Sequence, residues 1–203
     1  VDDPQIHLDM DASRQQAIDF EVQFKGTIAT DELTGSHLLR ALQAYENLLA
    51  AEYRPQSFAQ LHYSTNTADA ARGALLQKTR EFGSAVATHL VFFELEISNI
   101  PPAVYDRTSA EPALAPYRHY LDHERRMAVH NLTELEERIL VETSNSRGRA
   151  FARLATEVHS RTRFSIELDG QTLEKSQSEI LVLLYDARRE VRRKAAASIS
   201  AGL

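Results

Sequence analysis

The chain has 203 residues, 43% of them hydrophobic and 26% charged, with a net charge of −6 and no cysteine. It is long enough for one large domain or two small ones. The composition excludes a disulfide framework and thiolate chemistry, fits a reducing cytoplasm, and offers no global attraction for nucleic acid or an anionic membrane. With seven glycines and six prolines, turn formers are scarce, so few, long elements are expected.

Residues 1–11 read as a loosely held polar start, and 12–25 as a helix closed by Gly26. Thr30 reads as an N-cap ahead of Asp31 and Glu32. The helix it opens carries Leu39, Leu42, Tyr45 and Leu49 at spacings of three and four, and Arg54-Pro55 should close it. Residues 56–63 then form a short apolar piece and 64–67 a turn. The longest helix is expected over 69–97, where Leu75, Thr79, Phe82, Val86, Leu90, Phe93 and Ile97 keep the helical period. Its apolar run at 85–93 is interrupted by His89 and is too short to span a bilayer. Asn99 to Pro102 stop it, and 103–116 reads as a proline-punctuated connector.

The stretch 117–140, YRHYLDHERRMAVHNLTELEERIL, reads as helix, tight joint, helix. Thr133 and Glu136 have capping-box spacing, and Glu134, Glu136 and Glu137 suit a first helical turn. His119 and His123 share a helical face, but His130 lies roughly 10 Å further along the axis. His123-Glu124 is followed by Met127 where HExxH requires its second histidine. Two imidazoles without a third ligand make a poor metal site, so His119 and His123 are set aside. Ser144, Asn145 and Ser146 should open the next helix, with Phe151, Leu154 and Val158 on its apolar face. Alternation at 164–168, followed by Asp169-Gly170 and 171–173, predicts a hairpin. Ser176 opens a short helix, and a last helix from Asp186 carries Val191, Ala195 and Ile199.

Other constellations are bland. Glu94 and Glu96 point to different sides of a helix. Ser144 and Ser146 near His159 lack a carboxylate to orient the imidazole. Arg188, Arg189, Arg192, Arg193 and Lys194 read as a solvated basic helix end rather than a nucleic-acid surface. The residues alone therefore describe a mainly α, bundle-like lobe with one small hairpin near 164–173 and no catalytic, cofactor or metal site. It is treated as one domain over 1–203, with a possible division into 1–110 and 111–203.

Six ordered segments carry a resemblance: FKGTIA (24–29), SFAQLHYSTNT (57–67), FFELEI (92–97), the 117–140 stretch, GRAFARLATE (148–157) and LLYDARREVRRKAA (183–196). Together they resemble the N-terminal portion of oligoendopeptidase F, in the thimet-oligopeptidase-like family of zinc metallopeptidases. The sequence departs from that pattern at Phe151, where the family usually has tryptophan, and at Ala187 and Arg188, where it usually has proline and an acid. The resemblance implies a helical lobe packed against a catalytic lobe that holds zinc and cuts short peptides in a closed channel. No zinc ligand or catalytic glutamate of the family maps onto these 203 residues. Its expected partners are that catalytic lobe and, for the whole enzyme, an oligopeptide. Two other readings stand beside it: a free-standing helical interaction module, and a small metal-binding protein using His119 and His123. A severed lobe should also expose apolar surface, expected on the Val191, Ala195, Ile199 stripe and around Phe92 and Phe93, and should self-associate.

Overall fold

The computed structural model describes residues 4–144 and 146–202, and they form two compact units, 1–145 and 146–203.

The first unit is built on three long helices: α1 (Pro4–Phe24), α2 (Gly35–Thr65) and α3 (Ala70–Ser98), each packed on the other two. α1 begins well before residue 12 because Ile6 and Met10 extend the stripe of Ala17, Phe20 and Phe24 upstream. Gly26, at φ 78°, supplies the left-handed conformation that lets the chain leave α1. The start of α2 is Thr34, not Thr30: the Thr34 hydroxyl accepts from the amide of His37. Leu33 and Leu38, both buried, occupy the positions of a hydrophobic staple around that cap.

Pro55 does not end α2, which runs ten residues further and, at 31 residues, exceeds the 29 of α3. A proline inside a helix forfeits one backbone hydrogen bond. Here tertiary packing outweighs that loss, since Pro55 is buried and Ala59 packs with Leu75 and Leu76 of α3. Asp69 caps α3 through the amides of Ala71 and Arg72, as its position suggests. Phe20 sits at the centre of the core, with ring centroids 4.9 Å from Phe24, 5.1 Å from Phe93 and 5.8 Å from Phe92. Phe92 and Phe93 are thus core residues, contrary to the expectation of an exposed patch there.

The connector after α3 is more ordered than expected. It holds α4 (Pro102–Ser109) and a 3-10 turn (Pro112–Tyr117) that places Leu114 in the core. Next come α5 (Arg118–Met127), a 3-10 turn (Ala128–His130) and α6 (Glu134–Thr143), and both helices pack on α3. The capping box at Thr133 and Glu136 forms as its spacing predicts.

The second unit contains α7 (Gly148–Arg161), strands β1 (Arg163–Leu168) and β2 (Gln171–Ser176), α8 (Gln177–Val182) and α9 (Arg189–Gly202). The strands form one antiparallel hairpin, Leu168 opposite Gln171, turning through Asp169 and Gly170 at φ 48° and 81°. Ser146 does not cap α7, whose N-cap position is Arg147, and Asn145 lies outside the described residues. A second capping box, Ser176 with Glu179, opens α8. Phe164, Ile166, Ile180 and Ala195 make the small core, with Ile199 packed against it. The Val191, Ala195, Ile199 stripe is therefore turned inward rather than left to solvent.

Candidate functional site

Three of the six recognisable segments meet at a cleft of about 450 Å³ at the α5–α6 joint, lined by Ala29, Phe92, Leu95, Glu96, Asn99 and Ala128, with Asn131, Leu132, Thr133 and Glu134 opposite. Its floor is fixed by Glu96. The two oxygens of that carboxylate accept from separate backbone amides, Gly26 N at 2.6 Å and Ile28 N at 3.0 Å. This ties the loop after α1 to the end of α3 and joins the FKGTIA and FFELEI segments. Two lining residues, Glu134 and Phe92, are held by Lys25, whose ammonium lies 2.5 Å from Glu134, 3.1 Å from Glu21 and over the ring of Phe92. The Glu134 carboxylate raises the Lys25 pKa, partly against desolvation. Burial pulls Glu21 upward, but hydrogen bonds from His89, 2.7 Å away, and from Lys25 outweigh it and leave the group below the ordinary carboxylate value. The joint itself is held by polar ties to α3. Asn131 donates to Ser98 Oγ at 3.0 Å, and that hydroxyl lies 3.1 Å from the carbonyl of Glu124. Arg125 donates to the Ile100 carbonyl while its guanidinium covers the Tyr105 ring at 4.2 Å.

A second polar group lies between α2, α3 and α5. Tyr45 donates to Glu94 at 2.9 Å, and the buried Tyr120 hydroxyl has Tyr45 as its polar neighbour. Desolvation first, then the nearby carboxylates, push both phenols well above their usual range. Burial and the charge of Glu94 also raise Glu124. Both tyrosines therefore stay protonated at neutral pH. No signal in the sequence singles out this group, because its members are separated by up to 79 positions (Tyr45 to Glu124) and meet only through helix packing.

His119 and His123 are exposed on α5, and His130 is exposed in the turn that follows. Among the described residues no three His, Cys, Asp or Glu side chains stand together as a metal site. Ser144 lies 3.4 Å from the Ser84 hydroxyl. His159 is exposed on α7. The basic cluster is taken up locally: Arg188 pairs with Asp186 and Asp169, Arg192 donates to the carbonyls of Asp186 and Ala187, and Arg193 pairs with Glu190.

Residues 96–164, which run from Glu96 through the joint to the first strand, match the family model described as oligopeptidase F. Among solved structures, oligoendopeptidase F from Enterococcus faecium superposes on 98% of this chain and 37% of its own, with a TM-score of 0.78 at 20% identity. A putative peptidase from Chlamydophila abortus covers 97% of this chain and 34% of its own, with a TM-score of 0.56 at 17% identity. The comparison with curated proteins gave no match. The chain spans about a third of the length of these structures. The chain thus carries the N-terminal domain fold of oligoendopeptidase F, with the oligopeptidase F sequence signature across its residues 96–164.

Proposed function

We propose that this chain is the non-catalytic N-terminal lobe of a zinc-dependent oligopeptidase of the cytoplasm and forms part of the wall of the channel in which short peptides are cut. The observation that carries this reading is the superposition of 98% of the chain on oligoendopeptidase F, reinforced by the family match over 96–164. The described residues do not fit a zinc site, since no cluster of ligating side chains is present among them. Zinc and the hydrolytic residues are therefore assigned to the remainder of the polypeptide, and no chemical step is assigned to this lobe. Its contribution is shape: long helices that hold a rigid wall, and a joint pinned by Glu96, Lys25 and Asn131.

The test is cleavage of a quenched fluorescent peptide by residues 1–203 alone and by the full reading frame. The expected result is no cleavage by the short chain, with or without added zinc, and chelator-sensitive cleavage by the full protein. Cleavage by residues 1–203 would overturn the non-catalytic assignment. An inactive full protein without HExxH would instead favour a free-standing interaction module.

A further inference from the structure

α7 has no buried residue along its 14 positions. Its apolar face, Phe151, Leu154 and Val158, is 72%, 54% and 54% exposed. An isolated helix of this length is marginal in water, because nucleation is costly and only the burial of one face repays it. The helix also carries Arg149, Arg153 and Arg161 against a single acid, Glu157, which pairs with Arg153, in a chain of net charge −6. Arg161 falls seven residues after Leu154 and so returns to the apolar face. This helix lies inside the stretch 96–164 that matches the family model.

We propose that α7 is a docking helix whose Phe151, Leu154 and Val158 face seats in an apolar groove with an acidic rim on the catalytic portion of the same polypeptide. The inference rests on the function proposed above. Three features commit the face to that occupant. The structures similar to this chain are nearly three times as long, so most of their length lies outside the part matched here. The basic flank selects an acidic partner surface. The spacing of three and four residues is that of a helix laid in a groove.

The experiment is amide hydrogen exchange on residues 1–203 and on the full-length protein, paired with thermal melts of Leu154→Asp and Arg161→Glu in both. The expected result is near-free exchange of α7 in the short chain and at least about tenfold slower exchange in the long one. Leu154→Asp should lower the Tm of the full-length protein by about 5 °C and leave the short chain unchanged; Arg161→Glu should act in the same direction, more weakly. An active full-length peptidase with unprotected α7 would overturn the docking assignment and leave the function intact. Equal loss of Tm in both lengths would reduce α7 to an internal structural element. Protection in the short chain that grows with its concentration would assign the face to a second copy. Protection on adding phosphatidylglycerol vesicles would assign it to a membrane surface. Each of these three outcomes also refutes the proposal.

Discussion

Glu96 makes a sharp test of the joint, because its two oxygens serve two different amides. Glu96→Ala strands both donors. Gly26 is exposed, so its amide recovers a water and loses little. Ile28 is 0% exposed, and an unsatisfied buried donor costs about 1–3 kcal/mol. Adding the loss of a charged acceptor gives about 2–3 kcal/mol, or about 5–10 °C in Tm for a chain of this size. Glu96→Gln discriminates further. Glutamine keeps the shape but offers one acceptor oxygen, and its NH2 would face a backbone N–H. If the bidentate clamp holds the loop, glutamine should recover less than half of the alanine loss. Urea or thermal unfolding of the three proteins at neutral pH measures this directly. A glutamine variant within about 1 °C of the wild type would refute the clamp and make Glu96 an ordinary surface acid.

Three further outcomes are expected. Glu124→Gln should raise Tm at pH 7, since burial and the charge of Glu94 penalise its ionised form, and the gain should vanish below the ordinary glutamate value of 4.5, where both states are protonated. Thr133→Ala should cost about 1 kcal/mol by removing a cap of α6, read as a lower midpoint in urea. The Glu21–Lys25 pair sets two pH limits. Glu21 is depressed in the folded state, so its stabilisation is present above 4.5 and is lost as pH falls through the folded value; Lys25 is raised, so its part is present below 10.5 and is lost as pH rises through the folded value. Lys25→Met should therefore lower Tm most near neutrality and least at either extreme, and a deficit independent of pH would refute this pairing.

What was legible in the sequence is what is local. Thr133 with Glu136, Ser176 at the start of α8 and the Asp169-Gly170 turn all act within four residues, and each forms as read; the caps made by Glu179 and Asp69 are equally local but were not read. The errors lie where distant packing decides. Pro55 looks like a stop until Ala59 meets Leu75 and Leu76. Thr30 and Thr34 both precede plausible helices, and the staple of Leu33 and Leu38 selects the second. The joint could be read as a joint, but Glu96 takes amides 70 and 68 positions away, so no spacing rule points to it. The exposed apolar face was expected on the wrong helix. Periodicity reports which residues share a face of α7 or α9, not whether anything covers it; in α9 the hairpin covers Val191 and Ala195, while in α7 Phe151 stays in solvent.

Pro55 also has a consequence for how the first unit comes apart. It removes one rung near the middle of α2 and so separates that helix into two stretches that answer to different clusters. The stretch before it shares the large aromatic core through Leu38, Ala41, Leu42 and Leu48. The stretch after it, with the beginning of α3, is held by the three buried residues Ala59, Leu75 and Leu76 and by Ile6 and Tyr63 at their edge. So small a cluster cannot enforce all-or-none behaviour over the whole length of two long helices. With only this cluster and the hydrogen bonds of Arg72 and Arg80 to α2 across them, the distal ends of α2 and α3 are expected to open at a lower free energy than the base. Melting should begin there, with a calorimetric enthalpy larger than the van't Hoff value, while the aromatic base and the cleft pinned by Glu96 remain intact.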